Sequence, residues 1–246
     1  MSSNKAKKAI AIFDLDRTIT RGGTFTPFLL TSRSSLLARV TLFTAMLPAM
    51  IAYKFSDMSR TTLKNKMLAA TFEGCPADEI DALAARFAAK RISTELYSEA
   101  VSAIEHHRDQ GATLILATAA IDLYAQRFAD ALGFHYLVAT RTTAGAIDNG
   151  PPQVIGENCF GEHKRIAIEK LMREEIGVPL EEAKVTFYTD HYSDAALLRK
   201  IEHQVVVNPR AKMRALAKAM NMPIEYWTTS YQGVAAEAPA PAASRS

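Results

Sequence analysis

Short apolar runs recur along this chain, separated by longer amphipathic stretches. Ala9 to Phe13 is uninterrupted apolar sequence. It is short enough to be a strand buried on both faces of a parallel sheet. Comparable runs lie at Thr113 to Ala117, Tyr136 to Ala139, Lys184 to Tyr188 and Gln204 to Val207. The segments between them carry helical spacing and helix stops. They are Tyr97 to Gln110 before Gly111, Ile121 to Leu132 before Gly133, Gly161 to Ile176, Ala195 to Ile201, and a helix from after Asn208-Pro209 to Met220. Strands alternating with helices predict a doubly wound α/β core with right-handed crossovers. Met1 to Lys8 reads as a polar lead-in and Arg141 to Gly150 as a polar hairpin or loop. Gly233 to Ser246, rich in Ala, Pro and Ser, reads as a disordered tail.

The alternation fails once, between the first strand and the second. From Thr24 to about Ser98 no strand pattern occurs; helices are predicted over Phe25–Thr31, Leu36–Tyr53, Thr61–Thr71 and Ala77–Lys90. Arg21-Gly22-Gly23 forms the joint at the start, and Cys75-Pro76 a break inside. An insertion of this size is a cap or lid rather than a connection. The expected layout is core over 1–21, helical cap over 22–98, core again over 99–232, and tail over 233–246. Within the cap, Leu36 to Tyr53 reads LLARVTLFTAMLPAMIAY, with Arg39 and Pro48 inside and Arg33 and Lys54 at its flanks. Its clean apolar stretch, Val40 to Tyr53, is shorter than the ~20 residues that span a bilayer. It is either a buried cap helix or a surface turned toward membrane or an acyl chain. Arg33, Arg39 and Lys54 would then meet lipid phosphates or simply snorkel.

Composition adds bounds. The chain has 246 residues, 48% hydrophobic and 22% charged, which is ordinary globular usage and fits one domain with an insertion. The net charge of +3 includes one small basic cluster, Lys5, Lys7 and Lys8. That is too little for a nucleic-acid surface, and fits a solvated N-terminus or one that feels anionic lipid. The two cysteines, Cys75 and Cys159, have no metal-site spacing, as expected in a reducing compartment. The first apolar run leads directly into Asp14, unlike a signal peptide. A cytoplasmic protein is expected, membrane-associated if the apolar helix faces lipid. Nothing in the sequence marks its oligomeric state.

The chemistry lies where the strands end. Open parallel sheets bind ligands at the carboxyl ends of their strands. The first strand ends in Asp14-Leu15-Asp16, the second in Thr118-Ala119-Ala120, and the fourth in Thr189-Asp190-His191-Tyr192-Ser193-Asp194. Lys164 stands in the first turn of a helix, against the dipole. Each has a plain explanation: Asp14, Thr118, Asp190 and Asp194 as caps, Asp16 and Lys164 as solvated charges. Convergence of all of them is a poor candidate for accident. Paired acids need neutralising, and a hard cation such as Mg²⁺ takes carboxylate and phosphate oxygens. Such a cation between a carboxylate and a phosphomonoester dianion removes their repulsion. The Thr118 hydroxyl and the main-chain N–H groups beside it, Ala119 included, would hold a phosphate oxygen. Lys164 would cancel remaining charge. Asp14 would attack phosphorus, and Asp16 would protonate the leaving alcohol and then deprotonate water.

The motifs FDLDRTIT, LILATAA, GEHK and YTDHYSDAALL, in that order from Ile10 to Leu198, resemble those of the haloacid dehalogenase superfamily of phosphatases. The likeness is to subfamily IB, the group of phosphoserine phosphatase. It implies a Rossmann-like core with an inserted helical C1 cap, Asp14 as nucleophile and Asp16 as acid/base. It implies Thr118 and Lys164 as partners of phosphate and nucleophile. It also implies Mg²⁺ held by Asp14, the Asp16 carbonyl and Asp190, with Asp194 in support. Three departures bear on substrate. Arg17 replaces a common Gly, Ser193 a common Asn, and Gly23 stands where serine phosphatases carry an acid that contacts the substrate amine. The apolar cap, CFGEHK and the segment VVVNPRAKMRALAKAMNMPIEYW look closer in character to phosphatidylglycerophosphatase C and the CicA-like group. The expected substrate is a phospholipid head group such as phosphatidylglycerophosphate. The alternatives are phosphoserine or histidinol phosphate, phosphate transfer to a second alcohol, or a binding module with a decayed site. No P-loop follows a strand, which disfavours a kinase of that kind. Phe25, Phe28, Arg33 and Arg39 are the cap residues expected near the leaving group, and His191 and Tyr192 either line the cleft or fill a loop.

Overall fold

The computed structural model describes residues 7–143 and 150–232. The start of the expected lead-in, most of the 141–150 loop and the expected tail lie outside them. The core is a six-stranded parallel sheet. Its strands are β1 (Ala9–Phe13), β2 (Thr113–Ile121), β3 (Tyr136–Thr140), β4 (Lys184–Thr189), β5 (His203–Val207) and β6 (Ile224–Glu225), in the order β3-β2-β1-β4-β5-β6. The order reverses at β1, which pairs with β2 on one side and β4 on the other. That is the switch point where such sheets bind ligands. Two strands differ from expectation. β6 is two residues long, too short to carry a pattern. β2 runs through Thr118 to Ile121 because it outlasts β1, its register on β3 slipping between Ala117 and Ile121.

Successive side chains of β1 point to opposite layers. Ala11 and Phe13 join one apolar core, Ile10 and Ile12 the other. The second core belongs to α7 (Glu162–Leu171), α8 (Ala195–Leu198) and α9 (Ala211–Ala219). The first belongs to α5 (Ser98–Asp109), α6 (Asp122–Ala131) and the inserted helices. Those are α1 (Phe25–Thr31), α2 (Leu36–Phe55), α3 (Arg60–Phe72) and α4 (Ala77–Thr94). Phe28, Phe72 and Phe87 of the insertion cluster with Tyr124 of α6, at centroid spacings of 4.9 Å for Phe28–Tyr124 and 5.3 Å for Phe87–Tyr124. Such aromatic contacts bring burial plus oriented ring packing.

The insertion leaves and rejoins the core through paired backbone. The Arg21 N–H donates to Glu95 O (2.8 Å) and the Tyr97 N–H to Ile19 O (3.0 Å). A third segment closes against them: the Tyr231 N–H donates to Leu96 O (3.0 Å) and the Ser98 N–H to Thr229 O (2.9 Å). Arg21 also donates to Ser230 Oγ at 2.5 Å.

α2 is not the buried helix that one of its two readings predicted. Only Leu42 and Met46 are buried; the helix continues two residues past Tyr53. Its 20 residues are apolar and long enough, by length and composition alone, to cross a membrane.

Candidate active site

The ends of β1, β2 and β4 and the start of α7 meet in a cleft of about 270 Å³. Asp14, Asp16, Thr118, Ala119, Lys164, Asp190 and Asp194 all line it. Asp14 follows the last residue of β1, its N–H bonded to Tyr188 O at 3.0 Å. The Lys164 ammonium, 3% exposed, donates to Asp14 Oδ1 at 3.1 Å and to Asp194 at 3.2 Å. This explains a cation in the first turn of a helix: its charge serves two buried carboxylates rather than solvent. The turn begins at Gly161, whose φ of 59° favours glycine. Asp194 is also held by the Thr189 hydroxyl, which donates at 2.6 Å to the same Oδ2 that Lys164 bonds.

Asp16 is held differently. Its Oδ1 accepts from the Thr24 N–H at 2.8 Å and the Thr24 hydroxyl at 2.7 Å. That hydroxyl also lies 2.9 Å from the Tyr124 phenol. Thr24 is the first residue before α1, so the insertion itself orients Asp16. With Asp16 as the acid/base that the motif implies, replacing Thr24 by Val is expected to lower kcat on soluble phosphomonoesters by about 10- to 100-fold with KM little changed, because such a group loses rate with its orientation. Steady-state kinetics check it.

Burial pushes the Asp14 carboxyl up to about 7, with Asp194 adding to it and Lys164 opposing. Burial likewise raises Asp190 to about 8, Asp14 and Asp194 contributing. Asp16 is also raised by burial, against its hydrogen bonds from Thr24. Four carboxylates therefore face three cations, Arg17, Arg60 and Lys164, across one cleft. A divalent cation would turn that balance from negative to positive, as a phosphate dianion requires. Among the described residues no three His, Cys, Asp or Glu side chains form a metal cluster. The residues that could hold such a cation are two carboxylates, Asp14 and Asp190, with the Asp16 carbonyl, water and phosphate completing the set. That is the usual way Mg²⁺ is held. Of the other two carboxylates, Asp16 is engaged through Oδ1 by Thr24, and Asp194 through Oδ2 by Lys164 and Thr189, its Oδ1 accepting no hydrogen bond among the described residues.

The second-strand residues Thr118 and Ala119 line the same cleft. Thr118 Oγ1 accepts from the Ala120 N–H at 3.0 Å. The Ala119 carbonyl is taken by Lys64 Nζ and by the Thr140 hydroxyl at 2.9 Å. Lys64 belongs to α3, and its neighbours Thr61 and Asn65 accept from the N–H groups of Asn158 (3.2 Å) and Val154 (2.8 Å). Sequence reasoning missed these residues, and missed Arg60, whose guanidinium stacks 3.8 Å over Phe160 inside the cleft wall. The signal was present. Arg60 opens a helix, the same unfavourable placement that singled out Lys164. Phe25, Phe28, Arg33 and Arg39 do not line the cleft; Gly23 and Arg60 are the insertion residues that do. Phe28 is instead fully buried in the core. His191 lines the cleft with its Nδ1 2.8 Å from Ser193 Oγ, whereas Tyr192 is turned out. Arg17 occupies its position at a φ of 65°, which explains why a glycine suits that turn.

This fold and site belong to a known class. Residues 11–199 match the family of haloacid dehalogenase-like hydrolases, and the chain belongs to that family. Relatives include probable phosphatase Rv3661 of Mycobacterium tuberculosis, 27% identical over 228 residues, covering 88% of this chain and 75% of that protein. Protein CicA of Caulobacter vibrioides is 29% identical over 170 residues, covering 68% of this chain and 74% of that protein. The fold matches a substrate-bound phosphoserine phosphatase with a TM-score of 0.61 at 16% identity, over 90% of this chain and 94% of that one.

Proposed function

We propose that the protein hydrolyses phosphomonoesters through an aspartyl-phosphate on Asp14, with Mg²⁺ held by Asp14, Asp190 and the Asp16 carbonyl. The observation that carries this reading is the buried contact of Asp14 with Lys164 at the end of β1, in one cleft with Asp190 and Thr118. When bound, the cation offsets the repulsion between carboxylate and phosphate. Lys164 fixes the Asp14 carboxylate, which attacks phosphorus as the bond to the ester oxygen breaks. Asp16, its carboxyl raised by burial, gives its proton to that oxygen. It then takes a proton from water, whose oxygen attacks phosphorus, freeing Asp14 and inorganic phosphate. Thr118 and the main-chain N–H groups beside it receive a phosphate oxygen. The inserted helices act as the cap, since Thr24 and Arg60 come from them.

The substrate we favour is a phosphomonoester on a phospholipid head group, such as phosphatidylglycerophosphate. Gly23 leaves no carboxylate for a substrate amine, and a Cβ there would meet nothing within 4 Å. The test is phosphate release with Mg²⁺ or with chelator across lipid and soluble monoesters. Brisk turnover of phosphoserine or histidinol phosphate with none of lipid would overturn the substrate. Transfer to a competing alcohol would make the enzyme a phosphotransferase.

Metal binding carries a pH signature. Carboxyls raised on folding cost no stability below the unfolded pKa of about 4, and an increasing amount as pH climbs through the folded values of about 7 and 8. Metal-free protein is therefore expected to lose stability from pH 5 to 8. Mg²⁺ competes with the same protons, so its stabilising shift in melting temperature should be larger at pH 8 than at pH 6. Melting curves with and without Mg²⁺ at both values check this.

A further inference from the structure

α2 is apolar on two opposite faces, and its own fold uses only one. Leu42 and Met46 are buried against the insertion. On the other side Leu36, Leu37, Val40, Phe43, Ile51 and Phe55 stand exposed, Leu36 and Phe55 by 77% and 78%. At 100° per residue these six fall within a stripe of about 120°. Six outward apolar side chains in one stripe exceed the scattered exposure of a monomer surface.

Charge says what covers the stripe. From Arg17 to Phe72 the chain carries eight Lys and Arg and one acid, Asp57. Arg39 and Lys54 lie on α2 itself, and Arg33 and Arg60 just beyond its ends. A second copy docking face to face would bring these like charges together. An anionic lipid surface would complement them, at about 1 kcal/mol per basic residue near the headgroups. The helix lies along such a surface rather than through it, because Leu42 and Met46 hold its other face to the protein. Its C-terminal end lies next to a residue of the cleft wall. Arg60 sits 5.7 Å from the Tyr53 ring and stacks on Phe160 at the cleft wall.

We infer that the outer face of α2 seats this protein in the plane of an anionic membrane, with the cleft mouth at the headgroup level. The inference supplies the partner surface for the lipid substrate proposed above, and rests on that reading only for its purpose. Its test is co-flotation of the full chain with vesicles of phosphatidylcholine alone or with phosphatidylglycerol added. The wild type is expected to float with the anionic vesicles and not with phosphatidylcholine. Two sets of variants follow, Val40→Asp with Ile51→Asp, and Arg39→Glu with Lys54→Glu. Each pair should weaken flotation on the order of tenfold or more. None of the four side chains lines the cleft, so turnover of a soluble monoester and the circular dichroism spectrum should be unchanged. Absence of wild-type flotation would overturn the inference. So would a wild-type dimer in solution that Val40→Asp with Ile51→Asp dissociates, since a second copy would then cover the stripe. Flotation without any phosphatase activity would instead sink the proposed chemistry and leave the docking surface standing.

Discussion

Asp14→Asn is expected to abolish phosphate release, by on the order of 10⁴-fold or more, in a protein that still folds. The amide keeps the shape of the carboxylate but is no nucleophile toward phosphorus. Stability should not suffer above neutral pH. Burial already raises the Asp14 carboxyl to about 7, so its ionised form is an electrostatic cost that the neutral amide does not carry. Lys164 keeps Asp194 as a partner. Metal-free variant at pH 8 should melt at or above the wild type. Substantial remaining turnover would refute the nucleophile assignment.

Lys164→Met should damage both activity and fold. The ammonium lies between Asp14 and Asp194, and all three are buried. Removing one side of a buried ion pair costs about 3–5 kcal/mol, because the other side stays desolvated and unpaired. In a chain of this size that corresponds to a fall in melting temperature of roughly 10 °C. The cost has a sign in pH. Without Lys164 the Asp14 carboxylate, already raised by burial, escapes by taking up a proton, so the deficit should be largest at pH 8 and shrink toward pH 5. Lys164→Arg keeps the charge but not the compact ammonium, and should fall between the two in stability. A Lys164→Met protein that melts with the wild type at pH 8 would show that the ion pair is not formed.

Much of this is legible in the amino-acid sequence. Ala9–Phe13 is apolar throughout because both faces of the sheet are covered, and Val185, Phe187 and Tyr188 mark the fourth strand for the same reason. The acids at their ends each have a local explanation as a cap or a solvated charge, and stand out because they converge. The α2 segment was ambiguous for a related reason. Composition reports that a helix is apolar, not how many of its sides the fold has used. Arg60 and Lys64 escaped because they reach the site across space, from an insertion whose placement depends on contacts such as Phe28 with Tyr124. Thr24 carries no signal in the sequence beyond starting the strand-free segment, although it is the residue that orients Asp16.

The closure at the base of the insertion has a consequence for how the molecule is made. Leu96 and Ser98 find their outer partners only in Thr229 and Tyr231, more than a hundred residues later. Pairings so distant in the chain form late. While the polypeptide is being synthesised, the helical layer can collapse on its own aromatic residues, but its root stays incomplete until residues 228–231 have left the ribosome. A nascent chain arrested before that point should be cut by protease near Arg21 and Glu95, and released chain should resist.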